Sequence, residues 1–140
     1  MSDHGPEKRP DRTLGPGHDE FWAYCANGEL RVQRCAACHE LQWPVVKACE
    51  HCGSTDLPFI PLSGRGNVIS WATFERDYYQ GALPVPWDTI LVELEEGLLF
   101  LSNPKGFSWP DITPDMLVRL AFLDAEDKAG PFRLPVFEKA

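Results

Sequence analysis

Two Cys-x-x-Cys turns, Cys35-Ala-Ala-Cys38 and Cys49-Glu-His-Cys52, lie ten residues apart in this chain and constrain its fold more than any other feature. Each turn aims two sulfurs at one ion, and the connection is long enough for a short hairpin that brings the turns together. Four sulfurs then form a tetrahedron, the coordination Zn²⁺ takes in structural sites. That sphere is closed to water and substrate, so the ion it holds organises structure and does no chemistry. Two disulfides are the competing use of the same cysteines, and iron is the competing occupant, because four-sulfur geometry alone does not separate the two metals. His39 and His51 stand beside a sphere that the cysteines already fill, and they read as knuckle surface.

At 140 residues the chain holds one ordinary domain or two small ones, and 13 Pro and 11 Gly favour short strands and turns over long helices. The net charge of −8 is carried by the regions after residue 18, and no segment is basic. A phosphate-driven nucleic-acid binder is therefore disfavoured. No apolar run approaches the length of a membrane span, and Met1 opens no charged-then-apolar leader. With thiolate ligands, these features point to a reducing cytoplasm.

Along the chain, residues 1–18 are polar and rich in Pro and Gly, the composition of a flexible arm. Asp19 is expected to cap a helix that ends at Gly28, with Phe21, Trp22 and Cys25 on one face. Cys25, the odd fifth cysteine, reads as a small buried apolar residue. The helix and metal module occupy 19–62. From Ser63 to residue 140 the pattern changes to five short strands, 66–75, 88–95, 98–102, 117–123 and 132–137. Glu96-Gly97 supplies a hairpin turn, and Thr113-Pro-Asp-Met116 a helical turn. Pro135 suggests an edge for the fifth strand. The whole is mostly β: an N-terminal helix, a rubredoxin-like zinc ribbon, then a small, partly open five-stranded barrel of the OB-fold type.

Several stretches together carry a family resemblance: Phe21-Trp22, the four paired cysteines, Ser63-Gly64-Arg65-Gly66, Glu93-Leu-Glu-Glu-Gly97 and Leu134-Pro-Val-Phe137. Across about residues 19–138 the chain resembles the acyl-CoA-associated zinc-ribbon plus OB-fold family, long labelled a domain of unknown function. His39 departs from the pattern, since relatives usually carry Gly there. The resemblance implies an accessory subunit of thiolase-like enzymes, including thiolase-type aldolases and acyltransferases, in a heterotetramer or larger complex. The partner carries the catalytic residues, and this subunit supports assembly and the acyl-CoA site.

The residues agree with that implication in one respect. They form no nucleophile–base–orienter set, no paired carboxylates in a His-containing neighbourhood, no Gly-rich phosphate loop and no open metal site, and Glu93, Glu95 and Glu96 fall on a hairpin rim as a solvated or salt-bridged face. Aromatic side chains dominate interface hot spots, so Trp43, Tyr78, Tyr79, Trp87, Phe107 and Trp109, several of them beside Pro, are the expected partner contacts. Arg65, Arg76 and Lys105 are the expected contacts for the phosphates of coenzyme A. Single-stranded nucleic-acid binding is the alternative, since barrels of this type often do it and loop aromatics stack on bases.

Overall fold

The computed structural model of the protein describes residues 6–78, 81, 83 and 85–140. The elements are β1 (Glu7–Lys8), α1 (His18–Ala26), β2 (Arg31–Arg34), β3 (Leu41–Gln42), β4 (Phe59–Pro61), β5 (Arg65–Phe74), β6 (Trp87–Leu94), β7 (Leu99–Ser102), β8 (Leu117–Asp127) and β9 (Gly130–Lys139). A three-stranded sheet, ordered β3-β2-β4, carries the metal module. A six-stranded sheet holds the rest in the order β1-β8-β5-β6-β7, with β9 paired to β8. No helix among the described residues is long and apolar enough to cross a membrane.

The five expected strands are β5 to β9. Their ladder does not close on itself, yet the sheet curls until the chain after β7 meets β9. There the Ser102 hydroxyl donates to the Pro135 carbonyl (2.9 Å), and the Lys105 N–H donates to the Phe137 carbonyl (2.8 Å). Inside the curl lie Val68, Ile90, Val92, Leu94, Phe100, Val118 and Phe137. The same core continues through Leu62 into Val32, Leu30, Cys25 and Phe21 of the ribbon and helix, with no break between Leu62 and Ser63. Burial raises the Cys25 thiol to about 12, which makes it the inert apolar residue expected.

Side chains in an unbroken strand alternate between faces, but in β5 that alternation breaks at Ile69, where a β-bulge shifts the register between Val68 and Ser70. An inserted residue moves every later side chain to the opposite face. Val68, before the bulge, is buried opposite Val92; beyond it Trp71 is the partner of Ile90, and Ile69 is left exposed. The helical turn also moves: it forms at Trp109–Asp111, and Thr113–Met116 is a tight turn with Asp115 at positive φ. Gly17 rather than Asp19 is the N-cap of α1, and the Asp19 carboxylate instead accepts the Gly15 N–H at 2.9 Å.

The largest departure concerns the segment read as a flexible arm. Glu7 and Lys8 pair parallel with Ala125 and Glu126, extending the edge of β8 that β5 leaves uncovered. Arg12 then grips Asp127 through its backbone N–H (3.0 Å), Nε (2.8 Å) and Nη2 (3.2 Å). Its guanidinium lies 4.1 Å from the Phe132 ring centroid and 5.4 Å from that of Trp22. Polar composition alone points to a free arm, but a charge pair stacked on aromatic faces anchors it.

Asp127, whose side chain is 1% exposed, is held well below the usual carboxylate range, first by the Arg12 side chain. A depressed native pKa stabilises the fold above the unfolded-state value and loses that contribution as pH falls. Asp127→Asn should cost about 2 kcal/mol at neutral pH, less than a fully enclosed pair because the N-terminal segment can peel away. In denaturant titrations the gap between variant and parent should hold above about pH 5 and narrow below about pH 4, where unfolded Asp begins to bind protons. A gap independent of pH down to about pH 2 would contradict the ion pair's role.

Candidate metal centre

Strand β2 enters the first knuckle with Val32 and Gln33 buried, and β3 leaves it. Both knuckles are built alike. The N–H of His39 donates to the Cys35 carbonyl and that of Gly53 to the Cys49 carbonyl, each at 2.8 Å. The Cys35 N–H donates to Glu40 and the Cys49 N–H to Ser54, closing each turn. The residue after each second cysteine is left-handed, at φ 67° for His39 and 81° for Gly53. Glycine takes that conformation freely, while at His39 the side chain must be accommodated in it.

These turns bring the four sulfurs within 4.8 Å of one another, with Cys35–Cys52 at 3.5 Å and Cys38–Cys49 at 3.6 Å. A tetrahedron of zinc–sulfur bonds of about 2.3 Å has edges of about 3.8 Å, so the observed spacing suits a shared ion. Backbone N–H groups already point at the sulfurs: Cys38 to Cys35 Sγ (3.5 Å), and His51 and Cys52 to Cys49 Sγ (3.3 and 3.4 Å). The Cys38 N–H leads in lowering the Cys35 thiol to about 6, against the opposing effect of burial. At Cys38 the Glu40 N–H lowers the pKa, but burial and the neighbouring sulfurs outweigh it and drive the thiol to about 12. Four sulfurs this close cannot all ionise unless a cation neutralises them, and a divalent metal does so while releasing their protons. The four cysteines thus form a zinc-ribbon-type metal site.

The other expected site residues divide into two groups. Phe74 stacks on Trp87 (4.4 Å) and meets Tyr78 edge-on (6.4 Å), while the Asp88 carboxylate accepts the Trp109 N–H at 3.2 Å. Trp87, Phe107 and Lys105 line one cleft of about 350 Å³, together with Arg9 and Asn103. The Arg76 guanidinium lies 6.0 Å from the Tyr78 ring centroid. Tyr78, Trp87, Phe107, Trp109, Arg76 and Lys105 therefore gather at one end of the β5–β6 hairpin. Tyr78 (62% exposed) and Trp109 (55% exposed) project from that end. Tyr79 lies outside the described residues.

Trp43 and Arg65 stand elsewhere. Trp43 packs between Phe21 (4.5 Å) and Phe100 (5.1 Å), so it is largely consumed in joining ribbon to sheet. Arg65, at the opposite end of β5, is paired with Glu95 at 2.8 Å. Beside it the Ser63 N–H donates to Glu96 at 2.7 Å, which settles the hairpin rim as a bonded junction. Two features escaped sequence reasoning: Arg9, which enters the cleft from a segment read as free, and the buried amides of Gln33 and Gln42 beside the cage. A glutamine in a short strand carries no signal that it will be buried.

A helix-flanked sulfur cage that shares one core with a curled, OB-type sheet defines a protein of the zinc-ribbon class. Residues 22–58 match the family described as "ChsH2, rubredoxin-like zinc ribbon domain". A solved chain titled "Ltp2-ChsH2(DUF35) aldolase" is 31% identical, with a TM-score of 0.80 over 92% of this chain and 98% of that one. A probable enoyl-CoA hydratase alpha subunit of Thermomonospora curvata is 36% identical over 86% of this chain. The chain spans 37% of that relative's length. The benzoylsuccinyl-CoA thiolase subunit BbsA of Thauera aromatica is 28% identical over 72% of this chain and 69% of its own. The chain belongs to the DUF35 family, with a ChsH2-type zinc ribbon.

The left-handed knuckle position supplies a direct check on the geometry. His39→Val places a β-branched side chain at φ 67°, which should lower thermal stability of the metal-loaded protein by about 1–2 kcal/mol. His39→Gly should match the parent or exceed it. Equal melting temperatures for the valine and glycine variants would contradict the assigned turn.

Proposed function

We propose that this chain is a non-catalytic accessory subunit that docks on a thiolase-like acyl-CoA enzyme and supports that enzyme's assembly and substrate site. Zn²⁺ held by Cys35, Cys38, Cys49 and Cys52 is its structural ion. The closed four-sulfur cage carries the reading, because protein atoms fill every inner coordination position and none remains for a substrate. The chemistry of the donors favours zinc: four thiolates and no oxygen ligand suit a soft-to-borderline ion of tetrahedral habit. Once bound, the ion ties the 35–38 and 49–52 turns into one rigid unit on which residues 63–140 pack.

The other perturbed groups support a structural role. Asp127 is engaged by Arg12, and Glu95 is lowered first by Ser63 and then by Arg65. The names of the relatives point the same way, to a hydratase alpha subunit and a thiolase subunit for CoA thioesters, and to ChsH2 joined with Ltp2 in an aldolase. The exposed aromatics Tyr78 and Trp109 are the proposed anchors for the partner, with Trp87 and Phe107 behind them. Arg76 and Lys105 stand at the same end, where the phosphates of an acyl-CoA seated on the partner would meet them. Arg65 is occupied by Glu95 and leaves this set.

Co-expression with a thiolase-like subunit and affinity recovery tests the reading. The double variant Tyr78→Ala, Trp109→Ala should lower recovery of the partner at least about tenfold, the loss expected of two interface anchors. Its zinc content should stay at the parent level. Undiminished recovery would overturn the assigned face, and turnover of an acyl-CoA thioester by the isolated chain would overturn the accessory role.

A further inference from the structure

Beside the sulfur cage, Gln33 and Gln42 face each other across the β2–β3 ladder. Both are only 7% exposed, which is unusual for side chains with two donor and two acceptor positions. Burial of an amide is tolerated only where each polar atom finds a partner. At Gln33 the amide clips the connection between the knuckles, accepting the Val46 N–H (2.9 Å) and donating to the Val46 carbonyl (3.0 Å). At Gln42 the partners are different. Its Oε1 accepts the Glu50 N–H (3.3 Å), and its Nε2 donates to the Glu40 carbonyl (3.4 Å) and to Cys49 Sγ (3.4 Å).

The orientation of the Gln42 amide follows from this set. A backbone N–H can only donate, so the atom facing Glu50 must be the oxygen, which turns the NH₂ toward the sulfur. Among the described residues Cys49 Sγ thereby receives N–H groups from His51, Cys52 and Gln42, the last from a side chain.

We propose that Gln42 is an outer-sphere partner of the metal. Its amide N–H spreads the charge of the Cys49 thiolate and locks that sulfur at the ligand position, while its carbonyl ties the second knuckle to β3. Gln33 orders the connection through Val46 and, among the described residues, makes no hydrogen bond to a sulfur. The inference rests on the zinc reading of the cage. Outer-sphere partners of this kind tune affinity about 10–100-fold, because they orient the ligand and set its basicity.

Gln42→Glu separates the two functions of the side chain. At neutral pH its carboxylate still accepts the Glu50 N–H, but it has no proton to donate to the sulfur and brings a negative charge to a cage already negative. Competition against a chromogenic chelator should show zinc held at least about tenfold more weakly, the range outer-sphere partners command. Cobalt substitution should show a shifted sulfur-to-cobalt charge-transfer band. Gln42→Met, which removes the donor without adding charge, should shift the band in the same direction and weaken binding less. Gln33→Glu should lower thermal stability and leave the band in place. Parent-like zinc affinity and an unmoved band in both Gln42 variants, with zinc bound by the parent, would overturn the proposal. A parent that takes up neither zinc nor cobalt would instead overturn the cage reading on which it rests.

Discussion

Four sulfur atoms within 4.8 Å of one another are the constraint on which the rest of this structure depends. Together they cannot carry their charges without a cation, and apart they would not hold two short turns in register. The three-stranded sheet around them is slight: β3 has two residues and β4 three. Strands so short are marginal alone, so the ribbon draws its order from the ion and from the surface it packs on. The knuckles prepare for the ion by directing backbone N–H groups at sulfur, which favours the thiolate that binds it.

The ribbon is then fastened to the larger sheet through a few close contacts. Trp43 lies between Phe21 of the helix and Phe100 of β7, so one aromatic stack joins all three parts. At the junction itself, a Cβ at Gly64 would stand 2.7 Å from Leu120 and one at Gly66 2.6 Å from the Glu93 carbonyl. These two glycines let the chain entering β5 lie directly against its neighbours. Arg65 between them pairs with Glu95, and Ser63 with Glu96, so the tip of the β6–β7 hairpin is tied to the start of β5. The opposite end of the β5–β6 hairpin is left to the aromatic side chains that face outward.

What could be read in the sequence was whatever depends on near neighbours. The cysteine spacing announces the cage, Glu96-Gly97 the hairpin, and the runs from residue 66 to 137 their strands, because each signal lies within one short stretch of chain, the longest being the span from Cys35 to Cys52. The features that escaped depend on distant partners. Arg12 meets Asp127 across 115 positions, and without that partner a Pro- and Gly-rich stretch reads as a free arm. The bulge at Ile69 is likewise hidden, since an unbroken alternation and a shifted one use the same residues. Trp43 has the look of a surface anchor in sequence, and only the placement of Phe21 and Phe100 on either side turns it inward. Gln33 and Gln42 acquire meaning only once β3 lies beside β2.

The account stands on the ion as the organiser of the ribbon. Amide hydrogen exchange of the purified chain, recorded with zinc bound and again after chelation, addresses it directly. Removal of the metal should release residues 35–52 to rapid exchange while the central strands β5, β6 and β8 keep their protection. Slow exchange throughout 35–52 in metal-free protein would show that the sulfurs need no ion, and the account would fail.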